Sequence, residues 1–380
     1  MRFCPVCQSE NSVLIHHMRF LLPKNYSLPN GYEIVKCEKC GMCYADTIAT
    51  MQDYEKYYSN CNYYGGVSKK KTWIKKDEIF SNIIARHSDL SSTICDFGFG
   101  EGHLLRYLRN KGYEKICGLD PSEESLKILA NDEITNYKAN IYEKNSTGML
   151  FDVICVMDVF EHLLNPALAV NMLKTYLKDN GVVIISVPNY GYLKSNNLFY
   201  TNMFNQEHIN YFSPISLDNL FCINGYIRAE NTDDYTHEPE IYTAYKIINA
   251  KGNDNRVINY DSVTEQSILD YINEKGNSSK VINRLNNIVN NHSRVYLWGG
   301  GIFSMWLMAN TAVIDHVVAI IDNNKLKWGE YDFSGKYIKI IPLNEIDSDC
   351  PIIITAMENP DSIIHQIKEC QLSNKVYTVF

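Results

Sequence analysis

Between residues 92 and 189 short apolar runs alternate with stretches of helical period. STICDFG is apolar and ends in glycine, as a strand running into a turn would. HLLRYLRNKGY follows with helical spacing and stops near Gly112. KICGLDPS reads as a second strand and SEESLKILAN as a helix. FDVICVMDV is a continuous apolar strand, NPALAVNMLKTYLKDNG a helix closed by Gly181, and GVVIISVPN a further strand. This alternation predicts an α/β fold around a mainly parallel, doubly wound sheet. Ligands then bind beyond the carboxyl ends of the strands. The pattern returns near the C-terminus. RVYLWGGGIFSMWLMANTA is a strand, a run of three glycines and an apolar helix, and HVVAIIDNN and PIIITAMENP add strands. Asp322 follows Gly299 by 23 residues, and Asp120 follows Gly98 by 22. The spacing predicts a second unit of the same design. Three parts follow: residues 1–65, 66–245 and 246–380.

Composition narrows the function. With 380 residues and 45% hydrophobic content there is material for more than one core, and disorder is excluded. The formal net charge of −8 argues against a nucleic-acid partner. The run Lys69–Lys71 reads as a solvated surface turn. No apolar stretch approaches the ~18 residues of a membrane span, and MRFCPVCQSE lacks the apolar core of a signal peptide. We therefore expect a cytoplasmic protein with no membrane partner.

Five of the twelve cysteines lie in the first 43 residues. Cys4-Pro-Val-Cys7 and Cys37-Glu-Lys-Cys40 are two knuckles, each aiming two thiolates at one point. Together Cys4, Cys7, Cys37 and Cys40 predict a closed, tetrahedral, structural zinc site. Cys43 stands close enough in sequence to be an alternative ligand. The tyrosine-rich stretch DYEKYYSNCNYYGGVS reads as a connector.

The first strand of the central sheet ends D-x-G-x-G-x-G, from Asp96 through Gly98, Gly100 and Gly102. This resembles motif I of the class I S-adenosylmethionine-dependent methyltransferases. Asp120, at the end of the second strand, suits the ribose hydroxyls of a nucleoside. The segments YKANIYE and VMDVFEHLLNP extend the likeness. It implies a class I methyltransferase Rossmann-like sheet with S-adenosylmethionine as cofactor. The implied contacts are the motif I residues, Asp120 with Pro121, and Asn140 or Ile141 beside adenine. Asp158 and His162 are implied as well, the pair Glu161-His162 helping to shape the cofactor site.

A second Glu-His pair lies in FNQEHINYFSP. Its histidine, beside a carboxylate, can act as a base near neutral pH. The order of zinc segment, methyltransferase sheet and C-terminal Rossmann-like domain resembles the sugar C-methyltransferases of nucleotide-linked keto-deoxysugars. That resemblance implies Glu207 and His208 as the catalytic pair, with Tyr63 or Tyr64 and Tyr211 at the substrate site. It also implies a nucleotide-sugar held toward the C-terminal domain. Asn205-Gln206 departs from the family's Tyr-His at that place, and WGGGIFSM lacks the lysine of its usual C-terminal loop. Transfer to oxygen or nitrogen in the same architecture stays open. So does a nicotinamide-dependent oxidoreductase using Gly299 and Asp322, and so does a sheet that has lost its chemistry. Oligomeric state is not legible.

Overall fold

The computed structural model describes residues 2–60, 70–195, 200–230, 239–248, 257–275, 278–347, 349–356 and 360–379. The chain opens with strands β1 (Ser12–Arg19), β2 (Gly31–Cys37) and β3 (Cys43–Asp46). Its middle supplies β4 (Ile94–Phe97), β5 (Ile116–Asp120), β6 (Thr135–Lys138), β7 (Phe151–Met157), β8 (Leu177–Pro188), the two-residue β9 (Asn210–Tyr211), β10 (Tyr226–Arg228) and β11 (Glu240–Ile247). The last part supplies β12 (Val295–Trp298), β13 (Val317–Ile321), β14 (Gly329–Phe333), β15 (Lys336–Ile341), β16 (Ile352–Ile354) and β17 (Val376–Thr378).

These strands form three sheets. The central one has the order β10-β11-β8-β7-β4-β5-β6. Strands β4 to β8 are parallel, and β11 runs antiparallel to both β8 and β10. This is the expected class I methyltransferase sheet. Every residue of β4 and β5 is buried. A parallel sheet covered on both faces needs such continuous apolar strands. The C-terminal sheet has the order β14-β15-β13-β12-β16-β17, parallel except for β14. It is the second Rossmann-like unit.

The N-terminal sheet joins the other two. Its order is β1-β2-β3-β9, so a strand from the 205–211 segment completes it. Leu21 N–H donates to Met305 O at 2.9 Å and Lys24 N–H to Asp332 O at 2.8 Å. One core runs from Phe20, Leu22 and Tyr32 through Tyr190 and Tyr211 to Met305 and Leu307. Another packs Cys4, Cys37 and Cys40 against Phe97 and Phe151 under the central sheet. The three parts are therefore less separable than the sequence division implies. Strand β11 runs past residue 245 to Ile247. The helix Thr264–Lys275, placed by sequence in the last part, lies on the turn after β8, where Leu193 N–H donates to Ser267 Oγ at 3.0 Å. Among the described residues no helix is long and apolar enough to cross a membrane.

Candidate active site

The carboxyl ends of β4, β5, β7 and β8 converge on one cleft. After β4 the chain turns through Gly98, Gly100 and Gly102, with φ of 79°, 54° and 75°. Left-handed backbone at three alternate positions favours glycine. Gly98 is also needed for space, because a Cβ there would stand 2.7 Å from Val159 Cγ2. Gly102 then leads into the helix His103–Asn110. Asp120 supports the turn, its carboxylate accepting from Gly100 N–H at 3.1 Å and Ser122 N–H at 2.8 Å.

Asp96 lies beneath the turn, 3% exposed, and its Oδ1 has no hydrogen-bond partner among the described residues. Burial, with Asp77 and Asp120 nearby, pushes its carboxyl up to about 8. An unpartnered buried carboxylate is costly unless a cation or donor arrives. S-Adenosylmethionine carries both a sulfonium and an ammonium group. The residues present thus fit that cofactor.

Other expected contacts fall differently. Pro121 is exposed at the start of the turn after β5. Asn140 Oδ1 accepts from Tyr142 N–H at 3.1 Å, so its side chain closes its own turn. Ile141 is a core residue, buried under the central sheet. Asp158 takes a positive φ of 52° after β7. Its carboxylate accepts from Ser186 Oγ at 3.0 Å and from Lys76 Nζ at 2.6 Å. Lys76 Nζ also lies 2.6 Å from Glu240 Oε1. Asp158 thereby clamps the helix Lys70–His87 to the end of β7.

The histidines of the two Glu-His pairs lie side by side, with Glu161 next to them. The His162 and His208 rings stand 4.9 Å apart, edge to face. Ile209 N–H donates to Glu161 O at 2.8 Å, and Asn210 Nδ2 donates to Phe160 O and Leu163 O. These bonds lay the 207–210 segment along the turn after β7. Glu161 is 1% exposed, its Oε2 has no partner, and burial pushes its carboxyl well above the usual range. Glu161 Oε1 stands 3.8 Å from His162 Nε2.

The hydrogen bonds set the tautomer of the two rings. Tyr190 Oη donates to Met203 O at 2.6 Å and lies 3.2 Å from His208 Nδ1. With its only proton on Met203, that hydroxyl must accept from His208 Nδ1–H. The lone pair of His208 is then on Nε2. His162 Nδ1 likewise faces a carbonyl, Glu207 O at 3.0 Å, and must donate to it. Burial, the His162 ring and Lys76 hold His208 well below its ordinary pKa. Tyr190 thus orients His208, the role expected of the Glu207 side chain. Glu207 Oε1 instead accepts from Tyr57 Oη at 2.6 Å.

Tyr63 and Tyr64 lie outside the described residues. The helix Met51–Asn60 just before them places the Tyr58 ring edge-on to His162 at 6.3 Å. Tyr211 is fully buried, packed on Tyr190 and Phe204 at 4.7 and 5.3 Å. It belongs to the core that joins the N-terminal sheet to this site.

At the N-terminus four thiols converge. Cys4 Sγ lies 3.6 Å from Cys40 Sγ, and Cys7 Sγ 3.5 Å from Cys37 Sγ. A tetrahedron with ~2.3 Å metal–sulfur bonds has edges of about 3.8 Å. The set fits a metal of zinc's size. Cys43 Sγ turns away to Gly41 O at 3.6 Å.

Residues 74–226 match the family model described as a methyltransferase domain. This part of the chain is a methyltransferase domain of the S-adenosylmethionine-dependent class I fold. The chain is 30% identical over 129 residues to the ubiquinone biosynthesis O-methyltransferase of Rickettsia typhi, covering 33% of this chain and 52% of that protein. It is 30% identical over 112 residues to the protein of that name from Neisseria meningitidis serogroup C, covering 27% and 47%. The chain thus spans about half the length of the curated relatives it matches. Among solved structures, an S-adenosylmethionine-dependent methyltransferase from Clostridium acetobutylicum aligns with 14% identity and a TM-score of 0.38, covering 52% of this chain and 98% of that one.

Proposed function

We propose that this protein transfers a methyl group from S-adenosylmethionine to a carbon next to the keto group of a nucleotide-linked deoxysugar. His208 is the base. The observation that carries this reading is the setting of His208, a half-buried imidazole in the cleft whose Nδ1 is engaged by Tyr190 Oη at 3.2 Å. A proton on carbon beside a ketone leaves only to a competent base, and only if the oxyanion is supported. His208 Nε2 removes that proton, and Tyr190 holds the ring in the tautomer that can do so. Glu161, whose carboxyl burial pushes well above the usual range, is the proposed nearby acid. Tyr63 is the proposed support for the oxyanion, on the segment following the helix that sets Tyr57 on Glu207. When bound, the cofactor supplies an electrophilic methyl group. Cys4, Cys7, Cys37 and Cys40 are proposed to hold structural zinc. Their thiolates leave no open position, so the metal shapes the N-terminal sheet and takes no part in the reaction.

The curated relatives favour a second reading, because their names specify O-methylation. They match about a third of this chain. The converging cysteines and the C-terminal sheet are then unexplained, and the resemblance to sugar C-methyltransferases accounts for both. Incubation with nucleotide-linked keto-deoxysugars and S-adenosylmethionine decides. A methyl retained as a branched sugar after acid hydrolysis supports carbon transfer, and a methyl on oxygen selects the second reading. In heavy water without the methyl donor, the wild type should exchange the acidic proton and His208→Ala should not. His208→Ala should lower turnover by ~10²–10⁴ while binding S-adenosylhomocysteine normally. Because the pKa of His208 is lowered, the acid limb of the wild-type rate profile should fall below the 6.5 of an ordinary histidine. Full turnover in His208→Ala would remove the proposed base.

A further inference from the structure

Asp77 belongs to none of the motifs above. It sits on the helix Lys70–His87, 4% exposed, and its Oδ1 has no hydrogen-bond partner among the described residues. Asp96, on β4, shows the same two features. The two carboxylates come from separate elements; the helix of Asp77 packs on the helix that follows the glycine turn and on β7 and β8, and the Asp77 charge reaches Asp96. Burial raises Asp77 to about 6, and Asp77 in turn helps raise Asp96.

The two cations that act on Asp77, Lys76 and His103, also have other carboxylate partners. On its own helix, Lys76 is held by Asp158 and Glu240. On the neighbouring helix, His103 Nε2 is 2.8 Å from Glu101 Oε2. Asp120, at the end of β5, also raises Asp96. Among the described residues, neither of these two buried oxygens has a donor. Such an arrangement is expensive by itself and is rational when a ligand completes it.

We propose that Asp77 is a cofactor-binding residue that, together with Asp96, holds the ammonium group of the methionine end of S-adenosylmethionine. This rests on the reading of the central sheet as the cofactor site. The chemistry selects the ammonium over the sulfonium. Both unpartnered atoms are hydrogen-bond acceptors. An ammonium offers three N–H donors, and a sulfonium offers none. A charge alone would not satisfy Oδ1 of either aspartate. Binding a cation between the pair also favours their fully ionised state, so a proton leaves as the ligand enters.

Two ligands separate this role from a structural one. S-Adenosylhomocysteine keeps the ammonium group, and 5′-methylthioadenosine keeps adenosine and sulfur but lacks the amino-acid end. Calorimetry on the full-length protein should show Asp77→Asn weakening S-adenosylhomocysteine ~10–100-fold, as expected for a lost charged hydrogen bond. The affinity for 5′-methylthioadenosine should be unchanged, which also reports that the variant is folded. With the wild type at neutral pH, titrations in buffers of different ionisation enthalpy should show proton release with S-adenosylhomocysteine and less in Asp77→Asn. Equal weakening of both ligands, or no weakening of either, would overturn the role of Asp77. A wild type that binds neither ligand would instead overturn the reading of the sheet.

Discussion

Gly100 and Gly300 hold the same place in two separate sheets. Gly100 N–H donates to Asp120, at the end of the next strand, and Gly300 N–H donates to Asp322 in the same manner at 2.8 Å. Each aspartate also accepts from a backbone N–H two residues further on, Ser122 in one and Asn324 in the other. Around this shared frame the chemistry diverges. Two residues before the first glycine stands Asp96 in the central sheet and Leu297, fully buried, in the C-terminal one. Asp322 has an internal cation, Lys327 Nζ at 3.1 Å. Ser304 Oγ closes the C-terminal turn further by bonding to Gly299 O and Thr355 Oγ1. The central turn keeps two buried acids without donors, while the C-terminal turn meets its own needs. A glycine turn and a distal acid therefore mark the fold, and unmet charge marks the ligand site. This weighs against an oxidoreductase built on Gly299 and Asp322.

The coarsest way to break this comparison is to remove what joins the two sheets. The N-terminal segment touches both, and Arg2 donates to Leu163 O and Leu164 O beside the active-site turn. If the four thiols hold zinc, Cys4→Ser together with a strong chelator should lower the melting temperature by ~10 °C or more, since metal binding is folding energy. Cofactor affinity should fall with it. Elemental analysis should return one zinc per chain in the wild type. No metal and an unchanged melting curve would leave the two sheets independent of the cysteine cluster.

The next test compares the acids directly. Asp120→Ala removes an acceptor from the cofactor site and should weaken S-adenosylhomocysteine by ~1–3 kcal/mol. Asp322→Ala should leave that affinity unchanged. Equal losses, measured by calorimetry, would mean that the two turns are not functionally distinct.

Much of this arrangement was legible in the residues. The continuous apolar strands, the three alternating glycines and the paired cysteines each have a local physical cause, so reading them needs no partner from elsewhere in the chain. The meeting of His162 with His208 is different in kind. It depends on Ile209 and Asn210 binding the backbone of residues 160–163, and nothing in either segment alone announces it. Tyr190 was missed for the same reason, its role being set by Met203 O and His208 together. Lys76 and Asp77 carried a signal that went unused. Phe80, Ile83 and Ile84 form the buried stripe of their helix. Asp77 precedes Phe80 by three positions and Ile84 by seven, and Lys76 precedes Phe80 by four and Ile83 by seven. Helical period therefore turns both charges inward, and charges turned inward mark either an ion pair or a ligand. Here Lys76 is the first and Asp77 the second.

The smallest effect comes from the feature that silences the C-terminal turn. Lys327 is 42% exposed and Asp322 12% exposed, so their pair is half in solvent and worth little. Lys327→Ala should cost ~0.5–1 kcal/mol, seen as a drop of ~1–3 °C in melting temperature. Lys327→Met keeps most of the aliphatic stem, so a similar drop there assigns the loss to charge and a smaller one assigns it to packing. Neither variant should alter the binding of S-adenosylhomocysteine, because the central turn is a separate site. The affinity for a nucleotide-linked sugar is the sharper reading. If Lys327 acts only as the counter-charge of Asp322, that affinity should stay within about twofold. A tenfold loss would make Lys327 a phosphate contact worth about 1.4 kcal/mol. The C-terminal turn would then be a ligand site whose need is hidden by an ion pair that opens when the ligand arrives, and the distinction drawn from unmet charge would fail.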